Sequence, residues 1–232
     1  MTSQPDSSPE PQPNAPPAED LLAKVSGHYA TILADPPWQF QNRTGKVAPE
    51  HRRLLRYPTM SLQEIAALPV ASLAAARSHL YLWVPNALLR EGLVVMEAWG
   101  FVYKSNLVWH KVRKDGGSDG RGVGFYFRNV TELVLFGVRG GMRTLPPGRR
   151  QVNMLATRKR EHSRKPDELY PMIEACSPGP YLEVFARFKR QGWQQWGNED
   201  VEENASQGVA HRKGHVDASL RLLQVPRGYG GA

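Results

Sequence analysis

Cysteine is nearly absent: Cys176 stands alone in 232 residues. One thiol excludes an internal disulfide framework and a zinc site built on cysteines, and its place in an apolar helical segment reads as core filling. Long hydrophobic runs are missing too. No stretch approaches the roughly 20 apolar residues needed to cross a bilayer, and the first residues lack the basic start and apolar run of a secretory signal. A soluble, cytoplasmic protein with no membrane contact is expected. Neither a G-x-G-x-x-G fingerprint nor a Walker loop occurs. The glycine-rich "GGSDGRGVG" at 116–124 has no strand-to-helix flanks and reads as a mobile surface loop. No internal repeat is visible, and no residue cluster calls for a metal.

Acidic residues are scarce where the chain is apolar. The first 20 residues hold four acids and no Lys or Arg, and residues 199–232 hold five acids against four bases. The segment between them keeps 26 bases against 13 acids, so the net charge of +8 understates a strongly basic core. Such an excess points to a polyanionic partner, most simply nucleic acid, although a basic surface can also serve only solubility. The ends are polar, rich in Pro or Gly and without apolar periodicity. The expected organisation is a disordered Pro-rich tail over 1–26, one domain over 27–199 and a flexible polar tail over 200–232. A short helix over "ASLRLLQV" is possible within the second tail.

Helix and strand signals alternate through the core. "TILA" is a short apolar strand, and "SLQEIAAL" starts with Ser61 and Glu64 in the spacing of a capping box. "SHLYLWV" is a continuous apolar run, as expected of a strand buried on both faces. "ALLREGLVVMEAWG" reads as a helix closed by Gly100. "FVYKSNLVWHK" and "ELVLFGVRG" are strand-like. "KPDELYPMIEACSPG" predicts a helix with Pro166 in its first turn, acids beside it, and a bend at Pro171. "YLEVFAR" is a last apolar strand, and Trp193 and Trp196 beyond it read as packing the sheet edge. Alternation of this kind predicts an α/β fold with a parallel or mixed sheet covered on both faces. Ligands of such sheets sit beyond the carboxyl ends of the strands, where Asp35 falls.

The segment "ILADPPWQF", Ile32 to Phe40, joins a strand end to a carboxylate, two prolines and an indole. Asp35 offers acceptors only when ionised. Pro36 and Pro37 fix φ and donate nothing, and Trp38 offers a broad ring for stacking. Fixed acceptors beside an aromatic ring suit a planar base bearing an exocyclic amine, as adenine and cytosine do. The lone pair of that amine is delocalised into its ring, so the nitrogen is a poor nucleophile. Hydrogen bonds from both its protons to Asp35 and a prolyl carbonyl would localise the lone pair. Transfer to an electrophilic methyl would then rest on positioning and electrostatics. Read without its context, the same corner could be a structural Pro-Pro turn.

"ADPPW" resembles the catalytic signature of S-adenosylmethionine-dependent amino-group methyltransferases. Its Trp-ending form resembles the N6-adenine methyltransferase family that includes the catalytic subunit of the eukaryotic messenger-RNA enzyme and bacterial and phage members. The likeness runs in order through "YPTMSLQEIAALPV", "LYLWVPN", "AWGFVYKSNLVWHK", "TELVLFGVRG", "HSRKPDELYPMIEACSPG", "YLEVFAR" and "WGNE", over about residues 28 to 199. It implies a Rossmann-like S-adenosylmethionine-dependent methyltransferase fold in permuted order, with the catalytic strand early and the cofactor strand late.

By that resemblance Asp35, Pro36, Pro37 and Trp38 form the target-base site, with Trp38 near the adenine ring. Lys165, Glu183, Phe185, Arg187, Asn198 and Glu199 correspond to cofactor-binding positions. Glu199 stands where the family has an amide, so that residue's donor role does not carry over. Lys165 could otherwise be a solvated cation and Asn198 a turn residue, whereas Glu183 inside an apolar strand needs a partner. Basic residues directly after the corner, Arg43, Lys46, Arg52, Arg53 and Arg56, are candidates for phosphate contacts around a flipped base. Arg128 in the aromatic "GFYFRN" segment is a further candidate, beside rings able to stack bases. The resemblance implies an adenine-N6 methyltransferase using S-adenosylmethionine on nucleic acid, with DNA favoured and a homodimer possible. The alternatives are an RNA N6-adenosine methyltransferase, cytosine-N4 transfer, and a catalytically silent nucleic-acid-binding scaffold of the same fold.

Overall fold

The computed structural model describes residues 17–40, 59–119, 126–158 and 164–197. Its centre is β1 (Tyr29–Ala34), the "TILA" strand, buried at every position but one. β2 (Ala74–Val84) runs parallel to it on one side and β6 (Tyr181–Val184) parallel on the other. The remaining strands are β3 (Val102–Val112), β4 (Thr131–Arg139), β5 (Met154–Arg158) and β7 (Trp193–Trp196). The seven strands lie in the order β5-β3-β4-β2-β1-β6-β7. Only β4 runs against the rest, antiparallel to both β2 and β3. The carboxyl ends of β1, β2, β3 and β6 therefore share one edge with the amino end of β4. This is a doubly covered α/β sheet of the Rossmann-like kind.

Because successive side chains point to opposite faces, β1 feeds two cores. Ile32 and Ala34 point to the larger one, with Leu80, Leu82, Leu182 and Val184. Covering that face are α1 (Pro17–Lys24), α2 (Leu62–Ala66), α3 (Val70–Leu73) and α4 (Leu89–Ala98). Trp99 at the end of α4 is fully buried and donates its Nε1–H to the Ile65 carbonyl at 3.1 Å, which fixes α4 against α2. α4 approaches the sheet so closely at Gly92 that a Cβ there would lie 2.6 Å from a Val84 methyl. Leu33, Tyr81, Trp83, Trp109 and Val134 point the other way, toward Leu169 and Ile173 of α5 (Leu169–Cys176).

Several expectations hold in detail. Ser61 and Glu64 make both hydrogen bonds of the capping box, at 3.2 and 2.7 Å, worth about 1 kcal/mol at the cap. Gly100 takes φ +80° and ends α4 as anticipated. Trp193 and Trp196 are buried at the sheet edge, their indoles donating to Glu174 and Asp20, both at 2.8 Å. Cys176 is buried in α5, and burial pushes its thiol up.

Others are corrected. The expected tail over 1–26 does not remain unstructured throughout: α1 occupies Pro17–Lys24. Leu21 and Val25, four residues apart and hence on one helix face, are both buried, and Asp20 takes the Trp196 bond. Pro171 does not interrupt a long helix. Pro166 opens a turn, and α5 begins only at Leu169. Pro171 thus falls in the first turn, where a backbone N–H has no intrahelical partner anyway. β5, an edge strand of alternating exposure, was not anticipated. Of the glycine-rich loop, residues 116–119 form a turn closed by hydrogen bonds from the Arg113 N–H to the Gly117 carbonyl and from the Gly116 N–H to the Arg113 carbonyl. Its remainder, the Arg43–Arg56 basic segment, Asn198, Glu199 and the polar carboxyl tail lie outside the described residues.

Candidate active site

The active edge begins at the Asp-Pro-Pro corner. The Pro36 carbonyl accepts the Trp38 N–H at 2.8 Å, and the Pro37 carbonyl accepts the Met60 N–H at 2.9 Å. Both prolyl carbonyls are therefore already engaged once, each with a second lone pair remaining. Trp38 departs from expectation. Its ring is 6% exposed and packs in the larger core, with Nε1 donating to the Trp83 carbonyl at 2.9 Å. It offers no open face for a base; it nails the corner to β2. The Trp83 carbonyl gives the indole N–H a buried acceptor, and the ring packs in the adjacent core.

Asp35 itself projects into a cleft lined also by Leu33, Trp83, Arg164, Lys165, Leu169, Tyr170, Glu183, Phe185, Arg187 and Phe188. The structure thus brings Asp35, Lys165, Glu183, Phe185 and Arg187 together from three separate stretches of chain. Arg128 does not line the cleft and is exposed. It follows Tyr126 and Phe127, which are 95% and 85% exposed, on the segment that leads into β4 at the same edge.

The charges form an alternating chain. Lys165 Nζ lies 3.1 Å from Asp35 Oδ1 and 3.2 Å from Glu132 Oε2, and Lys111 pairs with the other oxygen of Glu132. Burial alone would lower the Lys165 ammonium, but Asp35 and Glu132 outweigh it and hold it above its usual range. Burial likewise works against the Glu132 carboxylate, and Lys165 and Lys111 bring it below the ordinary value. Both stay charged at neutral pH. Lys165 also sits 5.1 Å above the Trp83 ring and Lys111 5.0 Å above Trp109, attractive cation–π placements. The two indoles meet edge to face at 5.9 Å. Asp35 Oδ2 keeps its lone pairs without a partner among the described residues.

Glu183 is different. Burial raises its carboxyl above the usual range, and hydrogen bonds from Tyr170 and Gln195 offset this only in part. Those bonds measure 2.8 and 2.7 Å, and Arg190 stacks over the Tyr170 ring at 3.9 Å. The next residue but one, Phe185, holds φ +68°, a left-handed conformation uncommon for a bulky side chain. Its ring packs against Trp196 at 5.4 Å. The β6 strand therefore ends in a sharp turn that carries Phe185 and Arg187 back along the cleft.

A carboxylate with one oxygen held by a lysine thus stands at a strand end beside a desolvated acid. The MT-A70 sequence family matches residues 29–199, most of the chain. The chain belongs to the MT-A70 family. MT-A70 proteins are S-adenosylmethionine-dependent N6-adenine methyltransferases. The chain is 31% identical over 188 residues to the type II methyltransferase M.MunI of a Mycoplasma species, covering 74% of this chain and 77% of that one. It is 29% identical over 181 residues to the N(6)-adenosine-methyltransferase MT-A70-like protein of Arabidopsis thaliana, covering 75% of this chain and 24% of the other. Over 169 residues it is 28% identical to the human N(6)-adenosine-methyltransferase catalytic subunit METTL3, covering 72% and 27%. The chain thus spans about a quarter of the length of its plant and animal relatives.

Around this candidate site, sequence reasoning missed Glu132, Lys111, Tyr170 and Gln195. The first two had a faint signal, an acid opening one apolar strand and a base closing another. Only the antiparallel course of β4 brings them together.

Proposed function

We propose that this chain transfers a methyl group from S-adenosylmethionine to the N6 amine of adenine in DNA. The observation that carries the reading is Asp35 at the carboxyl end of β1, ionically tethered by Lys165 at 3.1 Å through one oxygen. The other oxygen is left to receive a donor. An aminopurine amine donates one proton to that oxygen and the other to a prolyl carbonyl with a spare lone pair. This draws the nitrogen toward tetrahedral geometry and localises its lone pair. Lys165 holds Asp35 at a fixed angle, and Trp38 keeps the backbone beneath it from moving. The intact corner favours an active enzyme over a silent scaffold.

The cleft has the chemistry for a sulfonium cofactor: two carboxylates, Asp35 and Glu183, with an aromatic ring at Phe185. Glu183, Phe185, Arg187 and Lys165 would hold S-adenosylmethionine, which supplies an electrophilic methyl group when bound. Asn198 and Glu199 are assigned to the same cofactor by resemblance alone. After transfer the nitrogen carries one proton in excess, and Asp35 is the acceptor placed to remove it.

The preference for DNA rests on the likeness to the type II methyltransferase. The chain is 31% identical to a type II methyltransferase along 77% of that protein's length, and 28–29% identical to N(6)-adenosine enzymes. Tyr126, Phe127 and Arg128 would meet nucleotides flanking the target, and Arg43, Lys46, Arg52, Arg53 and Arg56 would meet phosphates. No helix among the described residues is long and apolar enough to cross a membrane; action on DNA would place the enzyme in the cytoplasm, as a homodimer if it follows its relatives.

Incubation with labelled S-adenosylmethionine and single-stranded DNA, duplex DNA or RNA, followed by digestion to nucleosides, tests this. Label in N6-methyladenine from DNA is expected, and Asp35→Ala should reduce it at least 10²–10³-fold, the scale for losing one group aimed at developing charge. Label confined to RNA would transfer the assignment to RNA. Undiminished label with Asp35→Ala would move the active site elsewhere.

A further inference from the structure

At the opposite end of the sheet lies a second concavity that the reaction does not use. Its floor is Phe136, Val138 and Met142, and its rim carries Lys104, Arg143 and Arg149. No acidic residue lines it. The sequence shows only a basic cluster from Arg139 to Arg150, and the structure sorts that cluster by use. Arg139 turns inward, its Nη1 donating to the Ala71 carbonyl at 2.6 Å, and serves the fold. Lys104, Arg143 and Arg149 are exposed. Lys104 and Arg143 have no partner among the described residues, and Arg149 commits only Nε, to the Thr144 carbonyl at 3.2 Å.

The floor is rigid. Phe136 meets His79 at 4.8 Å and Tyr81 at 5.1 Å. His79, fully buried, holds the Met142 carbonyl through Nε2 at 3.2 Å and Ser177 through Nδ1 at 2.7 Å. Three solvated cations around a fixed apolar floor suit a ligand whose negative charges recur with apolar matter between them. A polynucleotide strand is built that way, with phosphates separated by sugars and bases.

Position favours the same ligand. Glu132, Val134, Phe136 and Val138 alternate along β4 and so face one side of the sheet. The six steps from Glu132 to Val138 span about 20 Å at roughly 3.4 Å per residue. The concavity therefore lies on the same face as the cleft, about 20 Å along β4 from Glu132, which is several nucleotides along a nucleic-acid strand from an adenine at Asp35.

We propose that Lys104, Arg143 and Arg149, with Phe136 and Met142 beneath them, form a second nucleic-acid contact that holds the substrate strand several nucleotides from the adenine at Asp35. This rests on the nucleic-acid reading above and extends it into a footprint.

The test uses the full chain and fluorescence anisotropy with two single-stranded DNA oligonucleotides, one of 24 nucleotides and one of five, each with a central adenine. Binding is measured across a salt series. Lys104→Glu/Arg143→Glu is expected to weaken the 24-mer at least tenfold at low salt and to flatten its log K against log[salt] slope by about 1.4. That is about 0.7 per lost single-strand contact. The 5-mer, too short to reach the site, should bind the variant as it binds the wild type. Arg90→Glu, exposed on α4 across the sheet, controls for the general field and should change neither. Equal weakening of both oligonucleotides, or no weakening of the 24-mer, overturns the proposal. A variant whose mass in light scattering halves as its 24-mer affinity drops also overturns it, in favour of a contact between copies. Wild-type methyl transfer to the 24-mer separates the two readings. With transfer intact and no variant effect, only the footprint fails; with no transfer to any nucleic acid, the function fails.

Discussion

The two ends of β4 carry similar numbers of cations and use them in opposite ways. At its amino end Lys111 and Lys165 are both spent on carboxylates, each carboxylate is fixed by a cation, and the aromatic rings beneath are buried. At its carboxyl end Lys104 and Arg143 stand in solvent. Paired charges in a half-buried site set geometry, because separating them leaves a desolvated ion. Unpaired charges on a surface set association, because they gain most when a polyanion sheds its counterions. The difference separates residues whose loss should alter turnover from residues whose loss should alter affinity.

The sharpest way to break this contrast is Lys165→Met. Asp35 and Glu132 would face each other's charge uncompensated, so single-turnover methyl transfer should fall roughly 10²–10³-fold. Stability should fall by about 2 kcal/mol in a thermal melt, less than for a fully buried pair because all three groups retain some solvent. Unchanged turnover would mean that the chain of charges is structural. Next in size is Tyr126→Ala with Phe127→Ala. Stacking worth about 1–3 kcal/mol per base predicts, for one base held between the two rings, a roughly five- to 150-fold weaker Kd for single strands with little change in the single-turnover rate at saturation. Lys111→Met should cost about tenfold in rate, since it removes one charged hydrogen bond from Glu132 and leaves Lys165 in place. A loss as large as that of Lys165→Met would show that the chain acts as one unit.

The smallest effect concerns pH. Glu183 has a folded pKa above its unfolded value, so native protein takes up its proton first. Wild type should therefore gain stability relative to Glu183→Gln as pH falls from neutral toward the ordinary carboxylate range, and the difference should be flat above the raised pKa. Glu132 has the opposite sign: its depressed pKa contributes stability that is complete above the unfolded value and lost as pH falls through the folded one. Melts of wild type, Glu183→Gln and Glu132→Gln over that window, expected to diverge by a few degrees, check both signs.

Much of this arrangement is legible from the chain. Apolar runs located five of the seven strands, because a strand buried on both faces has no polar alternation to hide it; β7 was read only as two tryptophans packing the sheet edge. Asp35, Lys165, Glu183, Phe185 and Arg187 were all named as site residues, and the structure gathers all five in one cleft. β5 escaped notice because an edge strand with alternate residues in solvent looks like loop. α1 escaped because few apolar residues mark a helix whose stability comes from docking, here through Leu21 and the Asp20–Trp196 bond. Trp38 was misread for a general reason: an indole after a rigid turn can face ligand or core, and the choice depends on the Trp83 carbonyl of β2 accepting its N–H. Glu132 and Lys111 lie 21 residues apart on strands of opposite direction, so no local pattern could pair them.

The central place of β1 has a consequence for how the enzyme is made. Its neighbour on one side is β6, and Thr31 lies across from Tyr181, 150 positions later in the chain. Contacts of that separation form late and slowly. During synthesis the Asp35 corner leaves the ribosome early, yet its cleft has no far wall until Glu183 and Phe185 arrive. A chain interrupted anywhere before β6 would carry the whole catalytic signature and still be unable to methylate. Activity in this protein is thus a report that translation has run nearly to the end of the domain.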